Sequence, residues 1–532
     1  MVRSWHSHAA PSKRLLAGAG IVGGEAAMND SCCKAYDPSS WDLARRCQDP
    51  TRLLLLFVTT HIIVWTIAPA VSHNAPTFDL IENYMFGKEW VLATYKHPAL
   101  TNWILESSRY LTGAVIWPAY LISQLFVGAT FCFAFLLGRA LIGPIRGAAG
   151  TLLLAGVTFY AWPTLAFNHD VASMPFWTAI PWALWRAVQQ RRSLWWVGLG
   201  LLSAAGLYAK LQTGLLLGAA AAWILYDGRA RGALLTAGPW LGAAVFLVTV
   251  SPLINWLTAS DFSQFRYVAM RSETFHGRGI IGFLLYGLGN VVTLMLMLVW
   301  ADLIGLRRAS KPNLNGRETS PIDRRALSYL VVMFATPVAL TIVGAGITGM
   351  SLRPAWAKSM FGLTGLLAVA LTAYRFGAQT TARIAVAAGL AVMFFPTVYA
   401  LYVKFQPLWG TVGPMNWPQD EIARRMTSIW MHETQKPLRI VSGDPRVAGL
   451  VGLTAPDMPS IYYDFVSTPW ITPERIDKEG MLLVWNINRK ILIRGAQGLA
   501  ASSVERAERF RVPYASRTKD IMIGYIIIPP RS

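Results

Sequence analysis

The sequence is short of charge. Only 14% of its 532 residues are Asp, Glu, Lys or Arg, against roughly 25% in ordinary soluble domains, so much of its surface faces something other than water. Acidic residues are scarcest, 28 against 48 basic ones, giving a formal net charge of +20. An excess of that sign fits nucleic acid. Here, however, the basic residues form short clusters between apolar runs, the pattern of membrane topology, and no nucleic-acid partner is expected. Cysteine is nearly absent. Cys32, Cys33 and Cys47 precede the first apolar run and Cys132 lies inside one, so no outward segment offers a disulfide pair and no CxxC spacing points to zinc. The turn GDPRVAG at 443–449 lacks both a GxGxxG pattern and a Walker lysine, which argues against a nucleotide-binding loop.

What the chain has in excess is apolar surface: 54% apolar residues and a mean hydropathy of +0.39. Apolar runs of roughly 20 residues read as bilayer-spanning helices, because only helices or closed barrels satisfy the backbone within lipid. Such runs fall near 52–72, 113–138, 147–166, 170–188, 194–211, 212–227, 233–258, 279–305, 327–347, 357–374 and 383–403. The stretch 194–227 reads either as one bent hairpin or as two tight helices. The expectation is a polytopic α-helical membrane protein of about eleven transmembrane helices with a small soluble α/β domain at its C-terminus. Residues 1–50 are polar and rich in Ala, Gly and Ser, with the short run LLAGAGIVGG (15–24) followed by Glu25 and Asp30. They read as a disordered cytoplasmic tail in which Met28 offers an alternative start.

Loop charge sets the orientation. With the N-terminus inside, the inward loops carry 15 basic residues and the outward ones 9, and the outward ones also hold Asp79, Glu82, Glu89, Glu106, Asp170, Asp261 and Glu273. The transmembrane unit is therefore expected over 51–403, and the domain over 404–532 is expected outside the cytoplasmic membrane. In that domain 438–443, 460–465, 481–487 and 521–529 have strand composition, with helices at 419–434, 445–454 and 496–510. Alternation of that kind suggests a compact α/β unit.

The first outward loop holds the densest chemistry, NAPTFDLIENYMFGKEWVLATYKHP at 74–98. Asn74 or Thr77 can cap a short helix that carries Asp79 and Glu82 on one face at i, i+3 spacing. Leu80, Ile81, Tyr84, Met85 and Trp90 give it an apolar side suited to the membrane interface. On spacing alone Asp79 reads equally as a carboxylate favoured by the helix dipole and as a functional one. Lys96 and His97 place two potential cations before Pro98, where Tyr and Lys are also ordinary interfacial anchors. Further clusters lie at Asn168, His169 and Asp170; at Arg266, Arg271, His276 and Arg278; and at Arg353 and Lys358. Lys210 reads as a lysine snorkelling to the outer interface. One face carrying both acids and bases suits a phosphate-bearing substrate, with bases on the phosphate and a carboxylate taking a proton.

The order Asp79-Leu80-Ile81-Glu82, Tyr95-Lys96-His97-Pro98, FNHDVASMPFW (167–177), GLYAKLQTGLLL (206–217) and RPAW (353–356) resembles the GT-C class of lipid-sugar-dependent glycosyltransferases. Within it the chain is most similar to glycosyltransferase family 39 and its relatives, which include the lipid A galacturonic acid and aminoarabinose transferases. The resemblance covers about residues 50–400 in order and topology. It implies an inverting transferase that takes a sugar from a polyprenyl-phosphate donor. The acceptor would be a glycolipid such as lipopolysaccharide, a polysaccharide or a protein, on the periplasmic side of the inner membrane. Asp79 would be the general base, with Glu82 and Asp170 as further catalytic carboxylates and Lys96, His97, Arg271 and Arg353 on the donor phosphate. Relatives often have His-Trp where Pro354-Ala355-Trp356 stands here. No Asp-x-Asp motif occurs in the outward loops, which agrees with a lipid donor. No cofactor is implied, although the acids are able to take a divalent metal.

Two rivals stand beside this reading. A membrane transporter would place ionisable residues or broken helices at mid-membrane, often within a repeat, whereas these charges fall in loops and helix mouths. A non-catalytic envelope-assembly protein would use the C-terminal domain for docking.

Overall fold

The computed structural model describes residues 49–273, 279–301, 321–372, 378–409, 412–464, 467–487, 508–513 and 520–531. The tail expected over 1–50 falls, up to residue 48, outside the described residues, as do His276 and Arg278. The first helix, α1 (Pro50–Ser72), starts where its sequence says it should. Asp49 accepts hydrogen bonds from the Thr51 and Arg52 amides at 3.1 and 3.2 Å, and Pro50 occupies the first turn, where its missing N–H is no loss. Two short helices follow, α2 (Phe78–Lys88) and α3 (Leu100–Thr112), before the long α4 (Ile116–Ile142).

The run at 147–166 is not one continuous helix. It forms α5 (Pro144–Leu152) and three 3-10 turns, Leu153–Gly156, Thr158–Tyr160 and Trp162–Thr164. Leu153, Leu154 and Phe159 are fully buried in protein, so this segment is apolar because it is core. Composition alone does not separate the two cases. The next helices are α6 (His169–Gln190), α7 (Ser193–Ala209), α8 (Thr213–Tyr226), α9 (Gly228–Ala233), α10 (Ala237–Ala259), α11 (Ser263–Glu273), α12 (Gly279–Asn290), α13 (Val292–Trp300) and α14 (Arg324–Thr348). A 3-10 segment, Pro354–Leu363, then runs into α15 (Thr364–Leu371), followed by α16 (Ala378–Phe405). The stretch 194–227 is thus two short helices. Among the described residues, 7 helical segments are long and apolar enough to cross a bilayer by length and composition, with the shorter apolar helices Ser193–Ala209 and Thr213–Tyr226 beside them; that count does not confirm the expected eleven. The chain is a multi-pass membrane protein.

Beyond α16 lie α17 (Gln419–Thr434), β1 (Ile440–Gly443), α18 (Pro445–Thr454), β2 (Ser460–Tyr462), α19 (Pro473–Glu479), β3 (Met481–Asn486), β4 (Glu508–Pro513) and β5 (Asp520–Ile528). They build one sheet in the order β2-β1-β3-β5-β4. The first three strands are parallel, with Val441 opposite Leu482, and β5 runs antiparallel to both β3 and β4. β4 stands where the expected helix 496–510 would end, and 496–507 lie outside the described residues. Phe510 and Val512 point to the apolar side while their neighbours are exposed. That period of two is hidden behind the helix-forming run of Ala, Glu and Arg preceding it.

The core of this sheet does not close on itself. Ile81, Met85 and Phe86 of α2 pack in one apolar cluster with Trp417, Val447 and Leu450. Leu80 and Tyr84, on the other side of α2, belong to the core of the helix bundle. The helix expected to lie along the membrane interface is instead covered by protein on both sides. Its apolar residues are spaced for two partners, which a reading of one face cannot show.

Close backbone approach holds the bundle where α5 crosses α15. A Cβ on Gly365 would fall 2.0 Å from the Gly150 carbonyl oxygen, a small-residue contact of the kind that lets membrane helices meet. Gly365→Ala is expected to destabilise the fold by about 1–3 kcal/mol and to lower the melting temperature in detergent. An unchanged melt would contradict the contact.

Candidate functional site

Asp79 stands exposed in the first turn of α2. Its carboxylate accepts a hydrogen bond from the Asn168 side-chain amide at 2.9 Å. Asn168 is itself fixed, because it is the N-cap of α6 and accepts from the Val171 amide at 3.1 Å. One residue earlier, the Phe167 carbonyl accepts from Asn83 of α2 at 3.2 Å. The start of α6 therefore holds α2 and its carboxylate from the side of the bundle.

One turn along α2, Glu82 forms an ion pair with Lys96, both side chains largely buried. Lys96 lies in a tight turn in which the Thr94 amide donates to the His97 carbonyl at 2.9 Å. Gln264 of α11 donates to the Thr94 carbonyl at 2.9 Å and ties the turn to the bundle. The Lys96 ammonium sits 5.4 and 5.6 Å from the ring centroids of Tyr95 and Tyr267, within cation–π range. Burial opposes its charge, but the Glu82 carboxylate, together with Tyr95 and Tyr267, more than offsets it and holds the ammonium above the ordinary lysine range.

Asp170, in the first turn of α6, is gripped by two lysines. Lys210 contacts one carboxylate oxygen and Lys358 the other, the latter at 2.9 Å, and all three side chains are less than a fifth exposed. The Asp170 carbonyl accepts from Ser173 and Ser359 at 2.8 and 3.3 Å. Lys210 therefore does not snorkel outward. It caps α7 in extended conformation and turns toward Asp170. Two ammonium groups on one carboxylate leave one positive charge over. Asp79 lies within electrostatic reach of both Lys358 and Glu82.

His97 stacks on His169 with centroids 4.2 Å apart, and His169 bonds the Pro98 carbonyl at 3.1 Å. Burial, the adjacent His169 ring and the nearby Lys210 and Lys96 cations push the His97 imidazole well below its ordinary range. A neutral ring brings one N–H to a phosphate but no charge. Arg271, at the end of α11, is within electrostatic reach of Glu82, and its carbonyl accepts from the Arg353 guanidinium at 3.0 Å. Arg266 instead pairs with Asp261 on the same segment.

The seven residues singled out in the sequence thus gather at one end of the bundle. Asp79, Glu82, Lys96 and Asp170 form its polar centre, His97 packs beside it, and the Arg353–Arg271 hydrogen bond ties the segment after α14 to the end of α11 at its edge. Spacing did not reveal that Asn168 orients Asp79, or that Lys210 and Lys358 share Asp170. Those contacts join residues 40 to 188 positions apart, beyond any local pattern. Among the described residues no three His, Cys, Asp or Glu side chains converge as a metal-binding group. An exposed carboxylate held by an amide, beside lysines, is equipped to take a proton near a phosphate.

Removing one partner from a buried ion group leaves the others uncompensated. Asp170→Asn, which strands two cations, is expected to cost about 3 kcal/mol. Lys358→Met, which leaves a one-to-one pair, should cost less. Unfolding curves in detergent give both values, and an equal or reversed ranking would refute this account of the cluster.

The comparison with known proteins follows the same geometry. Residues 96–256 match the family model for dolichyl-phosphate-mannose-protein mannosyltransferase. The matched stretch contains Lys96, Asp170 and Lys210, while Asp79 and Lys358 fall outside it. No curated protein matches the chain. Among solved structures, ArnT from Cupriavidus metallidurans bound to undecaprenyl phosphate superposes with a TM-score of 0.59 at 14% identity, over 89% of this chain and 97% of that one. The apo state of that protein gives 0.58 at 14% identity, over 89% and 98%. The oligosaccharyltransferase from Archaeoglobus fulgidus gives 0.43 at 11% identity, over 82% and 69%. With nearly the whole length of ArnT retraced, the resemblance read in the sequence holds at the level of architecture: this chain has the GT-C fold.

Proposed function

We propose that the chain is an inverting glycosyltransferase. It moves a hexose or pentose from a polyprenyl-phosphate donor to a glycolipid, polysaccharide or protein acceptor. The observation that carries the reading is Asp79, an exposed carboxylate held by Asn168 at 2.9 Å and flanked by the Glu82–Lys96 and Asp170–Lys210–Lys358 groups. The fold adds support, since the ArnT structure of the same architecture holds undecaprenyl phosphate.

In this mechanism Asp79 takes the proton of the acceptor hydroxyl as its oxygen attacks the anomeric carbon. The bond from that carbon to the phosphate oxygen breaks, and the electron pair leaves on the polyprenyl phosphate. Lys358 and Lys210, with Lys96, stabilise the phosphate charge. A phosphate departs without protonation once its charge is balanced, so one carboxylate suffices, whereas an inverting glycosidase needs a second carboxyl to protonate its leaving group. A single displacement inverts the anomeric centre. Glu82 and Asp170, already engaged by lysines, act by orienting those cations. Loop charge favours a cytoplasmic N-terminus in the inner membrane, with the site and the C-terminal domain on the periplasmic side.

The test is transfer of radiolabelled sugar from a membrane lipid extract to endogenous acceptors in vesicles with matched protein levels. Asp79→Asn should lower transfer by about 100-fold or more, and Asn168→Ala by a smaller factor. Equal transfer by Asp79→Asn removes Asp79 from the mechanism. No transfer by the wild type, with donor and acceptor supply confirmed, rejects the activity.

A further inference from the structure

The proposed base sits on a helix that the membrane bundle fixes on only one side. α2 has 11 residues, and its opposite side and both ends are held by residues beyond 412. Before α2, the Asn74 and Ala75 amides both donate to the Met415 carbonyl, at 2.8 and 3.0 Å. At its end, Lys88 donates to the Met458 carbonyl, and the Glu89 carboxylate accepts from the Ser460 hydroxyl at 2.8 Å. In the middle α18 crosses α2 so closely that a Cβ on Gly449 would lie 2.0 Å from Ile81 Cγ2. Ile81 is fully buried, and its branched side chain is stiff at χ1. An added methyl therefore has to push α2 itself. Ile81 adjoins Glu82 and follows Asp79 by two residues, so a shift of Ile81 shifts both carboxylates.

We propose that the C-terminal α/β domain is the positioning element of the site. The Gly449–Ile81 contact sets the placement of Asp79 and Glu82 against the lysines. The inference rests on the glycosyltransferase reading above. It assigns the domain a role in the rate of the chemical step, with donor binding left to the lysines of the bundle. Displacement of a reacting group by about 1 Å is enough to cost on the order of 100-fold in rate.

The experiment uses the full-length protein in detergent and compares Gly449→Ala, Ile81→Ala, the double variant and Asp79→Asn. Label transfer from extracted lipid-linked sugar gives kcat and the donor KM, and a melting curve reports folding. Gly449→Ala should lower kcat by about tenfold or more with the donor KM little changed. Ile81→Ala, which removes the clashing methyl, should restore kcat in the double variant to the level of Ile81→Ala alone. A role limited to stability would lower the melting temperature in both single variants without that rescue. Wild-type kcat in Gly449→Ala, or a loss that persists in the double variant, overturns the inference. Full transfer by Asp79→Asn sinks the underlying reading, whatever Gly449→Ala does. Should Gly449→Ala fail to fold, Lys88→Met/Ser460→Ala deletes the ties at the end of α2 without adding atoms. It should lower kcat in the same way, and a wild-type kcat there would count equally against the proposal.

Discussion

A charge withdrawn from water needs a counter-charge, because desolvation costs several kcal/mol per ion and only a well-placed partner offsets it. The polar end of this bundle is arranged around that constraint. Glu82 holds Lys96, Glu106 holds Arg109, and Asp170 holds Lys210 and Lys358. Elsewhere in the bundle Arg325 grips Asp227 at 2.7 Å and lies over the ring of Trp185. Asp79 differs in kind. It is exposed, and the side chain that holds it is the neutral amide of Asn168. A carboxylate engaged by ammonium groups is a poor proton acceptor, which fits Asp170 between its two lysines, whereas at Glu82 burial outweighs Lys96 and pushes the carboxyl up.

Periodicity and composition made part of this legible. The bounds of α17 and α18 and most strands of the sheet follow from local signals, an apolar stripe and runs of β-branched residues, whereas the first helix starts at Pro50, inside the stretch read as tail. The four loop clusters carrying acids and bases on one face were also visible, because loop charge and span order place them. The partners within the cluster were not. Nothing near Asp79 in the chain announces Asn168, and nothing near Asp170 announces Lys358. Each contact exists only once α2, α6 and the 3-10 segment after Arg353 have been brought together.

The misreadings share one physical origin. Hydrophobicity reports removal from water without reporting what replaces it. Residues 147–166 are as apolar as a span, yet they fold into a short helix and 3-10 turns inside the protein. The apolar side of α2 suits a lipid interface equally well, yet the residues covering it include Val447 and Leu450 of α18 and Trp417 just before α17. Both segments meet their neighbours at glycines whose missing side chains admit another backbone or a branched side chain, Gly150 against Gly365 and Gly449 of α18 against Ile81. Close approach to protein is what distinguishes them from lipid-facing helices.

The lodging of α2 between two bodies also bears on how the molecule comes into being. Synthesis runs from the N-terminus, so Asp79 and Glu82 emerge among the first loops. Met415, Gly449, Met458 and Ser460, which secure them, follow more than 300 residues later. At translation rates of about 5–20 residues per second the interval is on the order of tens of seconds. Throughout it the segment bearing both carboxylates has half of its final surroundings. The site becomes whole only when the residues around 415–460 have folded onto α2.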